Sequence, residues 1–434
     1  MRLTVVACNY FKKYVQREIA KATGVTVRKP FQGFRDIRKK KWYYDENRPW
    51  TSAAKETNIS LRRPPHVVVQ PISKKDWTLF KGDRMAFSTS ASSGIHEGML
   101  LGLGNPLLDI SIQGDKAFLD KYDLLPNNAI IAEDKHHNMF AEMTEKYSPS
   151  YLAGGATQNS IRVAQWLLEK PDATTFFGGV GADQFCKIQE EKAREVGVHV
   201  CYQVHQGMKT GVCGAIITGE NRSLVTELGA AEMFSLDYLE LPENWKFVEK
   251  AQFYYIGGFL LPVSPASVLK VLKHAADKKK TVIMNLHATF LCKYFTDADL
   301  DVMPYVDVLF GNGDEAAEFA KHAGFGTPSV EEIASKTAAL PKINSSRCRT
   351  VVFTQGRDPT YLAHDGKVSV YPVKPVDPSV IKDTNGCGDS FVGGFLSQLV
   401  QGRSIDECVR CGSYAAKVVI QHYGCTFPPK PDFK

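Results

Sequence analysis

From about residue 85 onward the sequence predicts an α/β protein: a three-layer α/β/α sandwich with a small β-sheet standing off it, preceded by a largely irregular basic extension. Three observations predict this. Short apolar runs alternate with helical patterns, two groups of strands have no helix between their members, and the charge balance reverses near residue 85. With 434 residues, 44% of them apolar, the chain can bury at least one large core.

The strands are expected at Met99-Leu103, Ala173-Phe177, Val212-Thr218, Phe253-Ile256, Thr281-Leu286, Val306-Phe310 and Thr350-Thr354. Between them, Gln158-Glu169, Ala182-Glu195, Pro265-Asp277, Asp314-Ala323 and Val330-Leu340 carry the helical period. Such alternation specifies parallel βαβ units and a doubly wound sheet. The rhythm breaks at Leu107-Ile112 with Ile130-Glu133, and again at Val198-Val204, Gly211-Thr218 and Ser223-Leu228. These form the small sheet, with strands from about 107–134, 150–156 and 198–230, placed to act as a lid.

Residues 1–84 hold 20 Lys+Arg against 7 Asp+Glu, which leaves 33 against 40 for residues 85–434. A nucleic-acid reading of the overall net charge of +6 therefore applies to the first segment alone. That segment has little apolar periodicity, and it carries Arg38-Lys39-Lys40-Lys41 and Arg62-Arg63-Pro64-Pro65. Its strings Asn47-Arg48-Pro49-Trp50-Thr51, Val67-Val68-Val69-Gln70-Pro71-Ile72 and Trp77-Thr78-Leu79-Phe80-Lys81-Gly82-Asp83-Arg84 resemble the N-terminal arm of the mitochondrial ribosomal protein L24 family. The resemblance stops at Arg84, before the hairpin that would complete an RNA-binding barrel, and one strand cannot close a barrel. The segment is read as a fusion rather than a second working module; a mitochondrial presequence and a solvated basic tail are the other readings. RNA is expected as a partner only through this segment. The ten cysteines lie scattered and are read as reduced thiols, and no apolar run approaches the ~20 residues of a membrane span.

Chemistry concentrates in Asp383-Thr384-Asn385-Gly386-Cys387-Gly388-Asp389-Ser390-Phe391, a Gly-rich turn opening a helix. Gly386 and Gly388 let successive N–H groups aim at one point, at the positive end of a helix dipole, and such a concavity binds phosphate oxygens. A carboxylate placed there repels a phosphate unless it has a task, and Asp389 is suited to accept the proton of a hydroxyl that attacks phosphorus. A plain helix cap is the bland alternative. There is no P-loop, and Gly102-Leu103-Gly104 lacks the third glycine of a dinucleotide fingerprint.

The whole string resembles the second signature of the ribokinase-like sugar and nucleoside kinases. Gly104-Asn105-Pro106-Leu107-Leu108-Asp109, Ala153-Gly154-Gly155-Ala156-Thr157-Gln158-Asn159-Ser160, Asn221-Arg222-Ser223-Leu224, Phe310-Gly311-Asn312 and Phe353-Thr354-Gln355-Gly356 are similar to the adenosine kinase branch, over nearly all of residues 100–433. The resemblance implies ATP-dependent phosphorylation of the 5′-hydroxyl of adenosine, a purine salvage step giving AMP and ADP, by a monomer in the cytoplasm, the nucleus or, with a working presequence, the mitochondrion. It implies Asp389 as base, Gly386, Cys387 and Gly388 as the anion hole, and Arg222 swinging onto the transferred phosphate. Asp109, Asn105, Asn159, Gly154 and Gly155 would meet the ribose, with Ile131, Leu228, Leu260 and Phe290 as apolar candidates for the adenine ring. Asn312 and Glu315 would organise Mg2+ and the phosphates, Glu315 through water, and Thr354 and Gly356 would wall the ATP site. The bland reading of Asn312 and Glu315, a helix cap with its capping-box partner, is compatible with this.

Four positions depart from that pattern: Cys387 for Ala, Ala129 for Gln, His287 and Thr289 for Ser and Pro, and Gly313 for an acidic residue. At a helix N-terminus Cys387 is either a reactive thiol of lowered pKa or an inert, half-buried one. Cys408 and Cys411 lack a second pair, so zinc is not expected, and His136-His137 reads as hydrated surface.

Overall fold

In the computed structural model, residues 94–434 are described except 127 and 220, and the readings of residues 1–84 lie outside this range. The strands are β1 (Leu100–Leu103), β2 (Leu107–Gln113), β3 (Ala129–Ile131), β4 (Ser150–Gly154), β5 (Thr174–Gly181), β6 (His199–His205), β7 (Val212–Thr218), β8 (Asn221–Glu227), β9 (Phe253–Gly257), β10 (Thr281–Asn285), β11 (Val308–Asn312), β12 (Thr350–Gln355), β13 (Asp358–His364) and β14 (Lys367–Tyr371). Nine of them make one sheet in the order β14-β13-β12-β11-β10-β9-β1-β5-β6, parallel from β12 to β6 and antiparallel at the β13 and β14 edge.

Both faces of this sheet are covered, and the strands show it by alternation. Leu101, Leu103, Tyr254, Ile256, Val282, Met284, Leu309, Val351 and Phe353 point into one core with the Pro265–Asp277, Gly313–His322 and Val330–Ala338 helices. Leu100, Phe253, Tyr255, Ile283, Val308, Phe310 and Val352 point into the other, against the Ala156–Leu168, Cys387–Leu399 and Ile405–Val419 helices. Cys408 and Cys411 are buried on the last of these, so the pair is part of the packing.

The second sheet has the order β3-β8-β7-β2-β4. One face is closed by Phe118 and Leu119 of the Lys116–Lys121 helix, by Tyr122 at its C-cap, and by Met139 and Met143 of the His137–Lys146 helix. Two expectations need correction here. Strand β6, assigned to the small sheet from its sequence, instead pairs in parallel with β5 along the main sheet's edge, because its inward Val200 and Cys201 have apolar partners there. His136 is fully buried, not hydrated: its Nδ1 accepts the Glu133 N–H at 2.9 Å and its Nε2 lies 3.1 Å from the Tyr122 carbonyl, which places the proton on Nε2.

No described helix is long and apolar enough to cross a membrane. The main sheet gathers its working residues at one end. Its strand order reverses at β1, and the C-terminal ends of β1, β9, β10, β11 and β12 open together, where ligands bind in open α/β sheets.

Arg349, 1% exposed, holds the opposite end together by donating to the carbonyls of Met303, Val306, Thr337, Leu340 and Pro341. Its replacement by Met leaves those carbonyls buried without their donor. Arg349→Met is expected to lower unfolding stability by roughly 3 kcal/mol or more, read from the urea midpoint. Because the site lies at the C-terminal ends of the strands and Arg349 just before the N-terminal end of β12, activity per folded molecule is expected to stay within about twofold.

Candidate active site

The Gly-rich turn is built as its sequence requires. Gly386 caps the Cys387–Leu399 helix with φ +70°, and a Cβ there would lie 2.9 Å from Cys425 Cβ, so both conformation and space call for glycine. The Cys387 N–H donates back to Thr384 O at 3.4 Å, and Ser390 N–H donates to Gly386 O at 2.8 Å. This leaves the Gly388 and Asp389 amides as the first-turn donors without an intrahelical acceptor, at the positive end of the dipole. Nothing stands within 4 Å of where a Gly388 side chain would begin.

Asp389 opens into a cavity of about 200 Å3 lined by Asn285, His287, Phe310, Gly311, Asn312, Glu315, Thr354, Gly388 and Val392. Its Oδ2 accepts from Asn159 Nδ2 at 3.0 Å. Burial pushes its pKa up to about 7, against the pull of the Asn159 hydrogen bond; Asp109 raises it further and Arg222 lowers it. A carboxylate poised near neutrality can both take and return a proton.

Toward the small sheet lies a polar group of different make. Asp109 on β2 is 5% exposed and accepts from Asn385 Nδ2 at 3.1 Å. Its pKa rises to about 6, chiefly through burial, with Arg222 and Asn385 opposing. A side chain at Gly154 would overlap the Asp109 carboxylate, and one at Gly155, where φ is +88°, would overlap the Asn105 carbonyl. Asn105 donates to Phe259 O at 3.2 Å, while the buried Oδ1 atoms of Asn105 and Asn159 have no hydrogen-bond partner among the described residues. Two orphaned acceptors beside an aspartate suit a ligand rich in hydroxyls.

The apolar candidates separate. Ile131 is half-buried on β3 and Leu228 half-buried after β8, whereas Phe290 is 41% exposed with its ring 6.1 Å from Phe259. Leu260 is corrected: it is fully buried in the core and offers no surface to a ligand.

At the other end, Asn312 and Glu315 form a full capping box. The Glu315 N–H donates to Asn312 Oδ1 at 2.8 Å, while Glu315 accepts from the Asn312 N–H at 2.9 Å and from its Nδ2 at 2.8 Å. Burial raises the Glu315 pKa to about 7, opposed by the Asn312 backbone hydrogen bond and aided by Asp314 and Asp389. The described residues include no cluster of three or more His, Cys, Asp or Glu able to cage a metal. A Mg2+ ion bound mainly by water and phosphate fits such a donor set, since both Glu315 oxygens already accept from Asn312. Thr354 lines the cavity, and Gly356 lies just beyond it in the β12–β13 turn with φ +62°.

Three residues matter more than their sequence context suggested. Asp383 accepts from Arg222 Nη1 at 2.6 Å, from Asn385 N–H at 2.9 Å and from Gly424 N–H at 2.8 Å. The Asp-x-Asn spacing of an Asx turn was the available signal for it. Asn385 joins this turn to Asp109. His287 stands at φ +65° on the cavity wall, its Nδ1 accepting from Gly258 N–H at 3.2 Å and its ring stacked on Phe259; burial lowers its pKa to about 3, so it is a neutral lining group. The choice left open for Cys387 resolves to the inert form, because burial, Cys425, Asp383 and Asp389 push the thiol up to about 12.

Comparison with known proteins gives the family. The model of the pfkB family carbohydrate kinases matches residues 116–432. Adenosine kinase 1 of Arabidopsis thaliana is 51% identical over 342 residues, which cover 79% of this chain and 99% of the relative. Among solved structures, Anopheles gambiae adenosine kinase in complex with P1,P4-di(adenosine-5) tetraphosphate superposes with a TM-score of 0.76 at 47% identity, covering 78% of this chain and all of the other. Schistosoma mansoni adenosine kinase in complex with 2-fluoroadenosine gives 0.74 at 32% identity, over 77% and 98% of the two chains. The chain belongs to the pfkB family of carbohydrate kinases and, within it, to the adenosine kinases.

Proposed function

We propose that the protein transfers the γ-phosphoryl group of ATP to the 5′-hydroxyl of adenosine, giving AMP and ADP, with Mg2+ as the metal and purine salvage as the setting. The observation that carries this reading is the place of Asp389: its carboxylate stands where the amide turn meets the cavity, next to Asn159 and between the Asp109 group and the Asn312, Glu315 and Thr354 group. The ribose 2′- and 3′-hydroxyls donate to Asp109, and Asn105 and Asn159 add their free acceptors. Asp389 takes the proton of the 5′-hydroxyl as its oxygen bonds to the γ-phosphorus, and the bond from that phosphorus to the β–γ bridging oxygen breaks. The Gly388 and Asp389 amides bind the transferred group.

Because phosphoryl transfer passes through a loose transition state, positioning and charge neutralisation outweigh proton removal. Bound Mg2+ supplies neutralisation of the phosphate charge, and Glu315 is the residue that would hold it, through water. The small sheet acts as a lid that excludes water from ATP.

The test is coupled AMP formation by the full chain. Asp389→Asn is expected to lower kcat by about 10²- to 10⁴-fold while KM for ATP shifts only a few-fold. Strong ATP-dependent turnover of ribose or fructose with none of adenosine would overturn the substrate assignment.

Since the raised pKa of Asp389 means protonation below about 7, kcat/KM for adenosine is expected to fall on the acid side of about pH 7. Removing the Asn159 hydrogen bond, which lowers that pKa, should move the limb to higher pH in Asn159→Ala.

Glu315→Gln separates metal holding from capping, because the glutamine oxygen still accepts the Asn312 N–H while the charge and the bond from Asn312 Nδ2 are lost. It is expected to fold with a loss of roughly 1 kcal/mol of stability and to need several-fold more Mg2+ for half-maximal rate. An unchanged Mg2+ titration would limit Glu315 to its cap.

A further inference from the structure

The Arg222 guanidinium belongs to the small sheet and the Asp383 carboxylate to the phosphate turn, yet the two form a buried ion pair of 2.6 Å with side chains 7% and 4% exposed. The same Oδ1 that accepts from Arg222 accepts the Asn385 N–H, and Oδ2 accepts the Gly424 N–H. Asn385, fixed in this way, reaches Asp109 with its side chain. One carboxylate therefore sets three things at once: the reach of Arg222, the curvature of the turn before Gly386, and the loop whose Cys425 packs on Gly386.

We propose that Asp383 is a positioning residue for phosphoryl transfer, presenting the Arg222 guanidinium and the Gly388 and Asp389 amides to the transferred phosphate as one rigid unit. The inference rests on the phosphoryl-transfer reading above. It follows from the chemistry of the group: Asp383 has no place of its own at the reacting atoms, since its oxygens are engaged by Arg222, Asn385 and Gly424. A carboxylate so engaged cannot serve as base, but it can hold a guanidinium, whose planar donors need a fixed partner to keep their direction. Preorganised donors cost no reorganisation when charge develops on the transferred group.

The experiment is a double-mutant cycle on the full chain, with Asp383→Asn, Arg222→Gln and their combination measured for kcat, for KM of each substrate and for thermal midpoint. Asp383→Asn is expected to lower kcat roughly 10- to 100-fold, somewhat less than the loss of a whole anion-hole donor, with KM for adenosine within a few-fold. The double variant is expected to be slower than Arg222→Gln alone by only a few-fold, clearly less than the factor Asp383→Asn costs by itself, since a guanidinium that is absent needs no holder and only the turn is left to loosen. If the two losses multiply, or if Asp383→Asn lowers the midpoint while leaving kcat per folded molecule unchanged, the positioning role is overturned.

Should Asp383→Asn fail to fold, the Arg222→Gln, Asp383→Asn double variant, in which neither member of the ion pair is left without the other, carries the test by the same comparison with Arg222→Gln. Failure of the underlying reading looks different. In that case the wild-type chain itself would form no AMP.

Discussion

The hydrogen bonds that converge on Asp383 tie together parts of the chain that sequence distance and topology keep apart. Arg222 precedes it by 161 residues on the small sheet, and Gly424 follows it by 41 beyond the last helix. Without a common acceptor, the segment 383–386 would be a loop between the edge hairpin and the Cys387–Leu399 helix, with no reason to hold a left-handed Gly386. A buried carboxylate is costly unless it is paired and fully bonded, and this one is. The fold uses the electrostatic demand of one charge to fix the geometry of a backbone turn.

The same neighbourhood holds two more carboxylates, and their environments differ. Burial raises Asp109, opposed by Arg222, by the Asn385 hydrogen bond and by Arg162, to about 6. Asp389 has the Asn159 hydrogen bond and feels Arg222, but its desolvation prevails and takes it to about 7. Their roles divide by position: Asp109 stands with Asn385 beside the groups suited to hydroxyls, and Asp389 where the amide turn meets the cavity. Burial and neighbours assign two roles to one residue type.

Much of this was legible in the sequence, and the limits are physical. The parallel strands were readable because each is apolar on both faces and bounded by helices of clear period. Strand β6 was misplaced since a strand's own residues say only that it is half-buried, not which sheet edge will bury it. The β13–β14 hairpin carried its own mark in Asp365-Gly366, both at positive φ, the favoured tight-turn pair. In the site, the glycines and Asp389 could be read from local chain chemistry. Asp383, Asn385 and His287 owe their importance to partners tens to hundreds of residues away, and Leu260 was misjudged because apolarity alone does not separate a pocket wall from the core beneath it.

Cys387 shows which effect governs the phosphate turn. A helix N-terminus favours the thiolate, since it contributes roughly half a positive charge over the first turn. Here the thiol instead rises to about 12, with burial the largest cause and Asp383 and Asp389 adding to it. Burial thus governs the thiol, and Asp383 and Asp389 add negative charge close to the amides that a polyphosphate would approach. A polyphosphate entering such a site has to find positive charge elsewhere, and the buried guanidinium of Arg222 is the cation that the fold itself places beside the turn. The pair joins an arginine on the small sheet to an aspartate in the loop before the Cys387–Leu399 helix at 2.6 Å in the interior, where an isolated pair would add little to stability.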